Sequence, residues 1–288
     1  MGFFDSLGKG WAFLKQAFVM AGKDKKLLAP SLYAVLIQIV YWVVWVMALV
    51  AASPHWSNGV WSAVGFVCLL GSFTIFYFFC GVTVNMIDVH LRGGRPSMIE
   101  GIKDSGKNFL AIFFLSIIST IVDIFVSAAR DENSIVGRII AGIVESIWTT
   151  LTCLLLPCII IEDAGFGQAM KRVRALHKGH LLLVGVGEVG VRGITGLIGF
   201  VWFSLIFVIE FYVIAKVFSG STAVIVGITV GGTMFSLYAA FSTFIRMAYY
   251  TCLYQWASAV EKEGQNAPAP LPLAIALGHS TVGREKVA

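Results

Sequence analysis

Long apolar runs alternate with short basic connections along nearly the whole of this 288-residue chain, and no motif constrains its fold as strongly. Runs of about 20 apolar residues are long enough to cross the roughly 30 Å hydrocarbon layer as α-helices, which satisfy their own backbone groups. Barrel strands would read as short alternating segments, which this sequence lacks. With 58% hydrophobic residues, 13% charged residues and a mean hydropathy of +0.84, the chain lies outside the range of water-soluble domains. The expected fold is all-α, a polytopic membrane helical bundle. Six transmembrane helices are expected at residues 31 to 52, 60 to 87, 109 to 129, 138 to 161, 181 to 218 and 221 to 257.

Charge orients these spans. Alternate connections carry Lys9, Lys15, Lys23, Lys25 and Lys26, then Arg92, Arg95, Lys103 and Lys107, then Lys171, Arg172, Arg174 and Lys178, and finally Lys262, Arg284 and Lys286. The opposite set has only Arg130, Arg138 and Lys216. This is a positive-inside pattern, and it predicts both termini in the cytoplasm. Charge laid out along a membrane face points to anionic lipid headgroups as partners, not nucleic acid. The first 30 residues are charged throughout and lack a signal-peptide core, so the first span is expected to stay. Cys68, Cys80, Cys153, Cys158 and Cys252 all fall within spans, where cysteine packs as a small apolar residue, and no disulfide framework is expected.

Each pair of spans follows a short amphipathic stretch. Phe3, Leu7, Trp11, Leu14 and Phe18 form one apolar face in the first. In the second, Ser97 is a candidate N-cap, with Met98, Ile99, Ile102 and Phe109 expected on the buried side. Phe166, Met170 and Val173 oppose Gln168, Lys171, Arg172, Arg174 and Lys178 in the third. Such helices suit the cytoplasmic-side membrane interface. The three starts align as Ser6-Leu7-x-x-Gly10-Trp11, Ser97-Met98-x-x-Gly101-Ile102 and Gly165-Phe166-x-x-Ala169-Met170. They suggest one transmembrane domain over residues 1–262, divisible into hairpin units at 1–90, 91–163 and 164–262, with 263–288 as a proline-containing cytoplasmic tail.

Residues 181 to 218 and 221 to 257 would each extend ~55 Å as straight helices, so they must tilt, break or project. Gly187, Gly190, Gly193, Gly196 and Gly199 recur every three residues, and Gly227 with Gly231 forms a GxxxG pair. These small residues are expected to make the tightest helix contact in the bundle or a subunit interface.

Two nucleotide-like motifs lose their meaning in context. Gly185-x-Gly187-x-x-Gly190 with Glu210 lies in a membrane span and not in a βαβ unit. Gly101 to Lys107 is followed by Asn108, where a phosphate loop needs Ser or Thr. His177 and His180 share a surface with Asp88, His90, Glu162 and Asp163, yet equal depth is not convergence, and no metal or cofactor is expected.

Intramembrane charges matter more, because each is costly unless paired or hydrated. Glu210 lies ~15 Å from the turn near Ser219, close to the midplane, while Arg192 and Arg246 fall at matched heights near the cytoplasmic headgroups. Glu188, Arg192 and Arg246 form a candidate charge clamp or lipid-phosphate site. Asp123 and Glu145 flank an outer turn beside Arg130 and Arg138, where pairing is expected. Glu210 has no evident partner in sequence, which makes it the first candidate for an ion-binding carboxylate, with Asp123 and Glu145 next.

The chain resembles an uncharacterised family of bacterial polytopic membrane proteins. The resemblance rests on Gly10-Trp11 to Asp24-Lys25-x-Leu27-Leu28-x-Pro30, on Glu162-Asp163-x-Gly165 to Ala169-x-Lys171-Arg172, and on Tyr249-Tyr250 to Tyr254-x-Trp256-Ala257. It implies an inner-membrane location and six spans, and no activity. The expectation is a non-enzymatic structural or assembly component, a homo-oligomer or complex subunit in contact with lipids. A transporter or channel using the intramembrane carboxylates is the alternative, and a membrane-embedded enzyme the third reading.

Overall fold

The computed structural model describes residues 3–52, 58–131, 134–217, 220–264 and 267–278, with the backbone alone at 3, 4, 6, 52, 58, 177–190, 192, 213–215 and 221. Every regular element among the described residues is helical. Helix α1 (Phe3–Lys23) is followed by a 3₁₀ turn, then α2 (Ala29–Ala52), α3 (Asn58–Leu91), α4 (Met98–Lys107), α5 (Phe109–Asp131) and α6 (Ile135–Ile161). Helix α7 (Phe166–Val208) passes through a π turn (Ile209–Ile214) into α8 (Ala215–Val217); α9 (Gly220–Glu263) and α10 (Leu271–Leu277) complete the chain. Six of these segments are long and apolar enough to cross a membrane, and the protein is an integral membrane helical bundle. Hairpin partners pack on one another: α2 on α3, α5 on α6, α7 on α9.

The spans close tightly at only one end. The core is built from the last turns of α3 (Cys80, Val82, Met86, Ile87), the start of α5 (Ile112, Leu115), the end of α6 (Leu154 to Ile160) and the second half of α9 (Phe244 to Leu253). Helices α1 and α10 seal it, and the basic connections lie at this same end. Toward the other end the helices turn apolar side chains outward: only 6% of the α2 span is buried, and Val40, Val44, Met47 and Val50 are all exposed. A soluble protein could not afford this surface, but in hydrocarbon it costs nothing. Helix α9 resolves its excess length by projecting, since its apolar first half spans while its second half forms the basic-end core.

The third amphipathic stretch packs as expected, with Val173 in the core and Phe166 and Met170 against it, but the first two pack differently from their sequence expectation. Helix α1 buries Phe13, Leu14, Ala17, Met20 and Ala21, leaving Trp11 and Phe18 on the outside. Helix α4 turns Ile99 and Ile102 outward and buries Gly101 and Ser105, and Phe109 at the start of α5 is exposed as well. A Cβ built on Gly101 would lie 3.0 Å from Cγ1 of Val82 and 3.3 Å from its carbonyl oxygen, so contact with α3 is set by backbone proximity. Ser97 holds the N-cap position of α4 without a side-chain capping bond.

The third amphipathic stretch and the span after it form one continuous helix. The first stretch is set off from its span at Asp24, whose carboxylate caps the 3₁₀ turn through Lys26 N–H at 3.0 Å, and the second at Asn108. Nothing between Phe166 and Val208 stops the helix, because glycine without a cap lowers propensity but does not end a buried helix.

The segment expected to be a tail folds back. Residues 267–278 dock against α1 and α9, with Pro272, Leu273 and Ala276 buried, and Trp256 Nε1 donates to the Ala267 carbonyl at 3.1 Å. Three prolines restrict this stretch before it is bound, which lowers the entropy lost on docking.

Candidate functional site

The α7–α9 hairpin carries most of the candidate residues, and its seam is a ladder. On α7, Thr195, Gly199, Trp202, Ile206 and Glu210 follow one another at three- and four-residue spacing. On α9, Tyr238, Met234, Gly231 and Gly227 run antiparallel to them. Tyr238 Oη donates to the Thr195 carbonyl at 2.9 Å, and Trp202 Nε1 donates to the Met234 carbonyl at 2.8 Å. The Tyr238 ring fits because position 199 has no side chain: a Cβ there would lie 2.9 Å from Cζ. The first hairpin repeats this device, with Tyr41 Oη donating to the Cys68 carbonyl at 2.9 Å over Gly71.

The glycine run on α7 is not one packing face. Residues three apart on an α-helix differ by about 60° in direction, so successive glycines walk around the helix. Gly193 faces α1, where a Cβ would lie 2.8 Å from Cδ2 of Leu7; Gly196 meets nothing within 4 Å; Gly199 faces α9. What Gly187 and Gly190 face lies outside the described residues.

Glu210 lies in the π turn, and its carboxylate rests on the GxxxG pair. Cβ atoms built on Gly227 and Gly231 would sit 2.6 Å from Oε2 and 2.7 Å from Oε1. Two motifs that were separate in sequence thus form one contact, and these two glycines are occupied within the chain. No described residue hydrogen-bonds or ion-pairs with the Glu210 carboxylate. A π turn inside a long helix is a recurrent feature of functional sites.

The other intramembrane carboxylates belong to a different hairpin. Glu145 pairs with Arg130 across the α5–α6 turn, as sequence proximity suggested. Asp123 is exposed on α5, one turn beyond Ser119, whose hydroxyl lies 2.9 Å from Tyr77 Oη and accepts from Trp148 Nε1 at 3.2 Å. The side chains of Glu188 and Arg192 lie outside the described residues, so of the clamp only Arg246 can be placed. Its Nε donates to the Ser242 carbonyl at 3.4 Å, and its side chain lines a groove.

That groove, of about 1080 Å³, runs between α2 and α9 over Phe76 of α3. Its walls include Leu32, Val35, Ile39 and Trp42 on one side and Ile228, Gly232, Phe235 and Ala239 on the other. Arg246 is the one charged side chain among the described lining residues. Sequence reading missed the groove, though Thr229, Thr233 and Ser236, with Thr243 two helical turns further on and Arg246 one turn beyond that, were its signal.

Charged groups at the basic end are spent on tethering. Arg172 of α7 binds Glu162 at 3.3 Å and also Glu261 of α9. Partial burial works against its charge, but the bond to Glu261 and the two carboxylates outweigh it, and the guanidinium is held above its ordinary range. Asp88 accepts from Gln255 at 2.7 Å and pairs with Arg92 at 3.0 Å. Asp163, in the left-handed region at φ 49°, accepts from Asn108 at 2.8 Å, joining the α6 terminus to the start of α5. The carboxylates considered as metal ligands therefore have other partners. The His177 and His180 side chains are outside the described residues, and no group of three His, Cys, Asp or Glu suited to a metal occurs among those described.

Residues 60–264, more than two thirds of the chain, match the model of a family described as a family of unknown function (DUF6159). No curated protein matches the chain.

Proposed function

The chain belongs to the DUF6159 family, and from that premise and its geometry we propose that it is a non-enzymatic structural or assembly component of a membrane, engaging lipids and other subunits. The basic end faces the cytoplasm, both termini lie on that side, and the membrane is the bacterial inner membrane. The asymmetry of Lys and Arg between the two sets of connections supports this orientation. The observation that carries the reading is the one-ended core: a well-packed basic end holds splayed apolar helices whose outward faces the single chain does not bury. Surfaces of this kind suit lipid tails and neighbouring helices.

A second reading, transport, is favoured by Glu210 in its π turn, since a carboxylate at membrane depth with no partner among the described residues is costly unless it has a task. One preparation separates the two. The full chain is extracted in mild detergent for mass measurement by light scattering, and reconstituted for proton flux with a trapped pH dye. The structural reading expects a mass above the 31.3 kDa of one chain, unchanged in Glu210→Gln, and flux equal to that of empty vesicles. Flux that is lost in Glu210→Gln would establish the transport reading instead.

A further inference from the structure

We infer that the α2–α9 groove holds one anionic phospholipid of the surrounding bilayer, with its phosphate at Arg246 and an acyl chain running along the Gly232 face of α9. This names the lipid class for the structural reading above and rests on it. Depth comes first. Arg246 follows Gly220 by 26 residues, ~39 Å along the helix, beyond the ~30 Å hydrocarbon layer and therefore at the headgroup level of the basic end. From Arg246 to Ile228 the groove follows α9 for ~27 Å, long enough for an extended acyl chain, which needs about half the hydrocarbon thickness.

Chemistry matches this placement. The groove joins a long apolar trough to a single positive charge at its headgroup end, as an anionic amphiphile requires. Four of its other polar groups are already engaged within the chain. Thr229, Thr233 and Ser236 each donate to the carbonyl four residues earlier, at 2.8, 2.7 and 2.7 Å. Gln38 is engaged with Ser72, through its amide to the carbonyl at 2.7 Å and its oxygen to the hydroxyl at 3.2 Å. The guanidinium has five N–H donors, and no described carboxylate takes any of them. A phosphate diester accepts such a fork in bidentate fashion. At Gly232 a Cβ would meet nothing within 4 Å, so the missing side chain leaves space that no protein atom fills.

Native mass spectrometry on the full chain tests this after extraction from vesicles of phosphatidylcholine and phosphatidylglycerol in equal proportion. The wild type is expected to retain one phosphatidylglycerol in preference to phosphatidylcholine by about tenfold, because both offer the phosphate diester but the choline cation of phosphatidylcholine is repelled by the guanidinium. Arg246→Gln should bring that preference close to unity, and Arg246→Lys should keep part of it. Gly232→Phe fills the trough, leaves the charge, and should lose both lipids. Circular dichroism keeps misfolded variants out of the comparison. An unchanged preference in Arg246→Gln, or unchanged retention in Gly232→Phe, overturns the assignment, as does a two-chain mass without lipid that Gly232→Phe converts to one chain. Lipid preference and oligomer mass are read on the same sample, so loss of this inference is distinguishable from loss of the structural reading.

Discussion

Replacing Gly199 with Ala should destabilise the protein while replacing Gly196 with Ala stabilises it, although both glycines belong to the same three-residue repeat of one helix. In isolation, Gly→Ala within a helix gains about 1 kcal/mol. Gly196 has open space around it and should realise that gain. At Gly199 the new methyl would lie 2.9 Å from Cζ of Tyr238, a ring that cannot swing freely. It packs edge-on against Phe203 with centroids 5.5 Å apart, and its hydroxyl is tied to the Thr195 carbonyl. Overpacking of this kind costs about 1–3 kcal/mol, and the displaced hydrogen bond about 1 kcal/mol more. After the helix gain is subtracted, Gly199→Ala should lose about 1–3 kcal/mol, which places the two variants about 2–4 kcal/mol apart. Reversible unfolding of the purified chain by dodecyl sulfate in mixed micelles, followed by tryptophan fluorescence, measures the difference. Tyr238→Leu should abolish most of it by removing the ring. Equal shifts in the two alanine variants would refute the argument that the glycines face different neighbours.

Gly231→Leu should cost about 1–3 kcal/mol by overpacking the Glu210 carboxylate, and much less in a Glu210→Ala background; additive effects in that double-mutant cycle would separate the two residues. Arg172→Ala breaks ion pairs to Glu162 and Glu261 that are partly exposed, so the loss should be about 1 kcal/mol or less and should shrink as salt is raised in a thermal melt. Leu273→Ala removes the buried anchor of α10, a change of about 2–5 kcal/mol if the cavity cannot collapse. Seven residues cannot hold the helix without that anchor, so limited proteolysis should cut sooner between Gly264 and Gly278 while the spans stay intact.

The spans were legible because the bilayer is a severe filter. An apolar run long enough to cross it has few alternatives to helix, and Lys and Arg mark its ends whatever the helices pack against. The Arg130–Glu145 pair was readable for a similar reason, since a short turn holds its flanking residues close. Direction around a helix was far less legible. In α1, apolar periodicity picked out Trp11 and Phe18 beside Leu14, yet the buried face is Phe13, Leu14, Ala17, Met20 and Ala21; in α4 it picked out Ile99 and Ile102, yet the buried face is Gly101 and Ser105, where the backbone approaches α3. Docking of residues 267–278 was not legible, because Pro268, Pro270 and Pro272 give no sign in sequence of the surface on α1 and α9 that they meet.

The amino-acid sequence by itself determined an all-helical membrane bundle, the number of its spans and the sharing of charge between its two ends, since each follows from transfer of local segments out of water. Only the tertiary structure decided that Glu210 rests on Gly227 and Gly231, that Tyr238 uses the space of Gly199, and that α2 and α9 part to leave a groove with Arg246 at one end. Those features depend on distances between segments far apart in the chain. Inside a bilayer, where no hydrophobic force selects one rotation of a helix over another, such distances are set by close packing and a few hydrogen bonds.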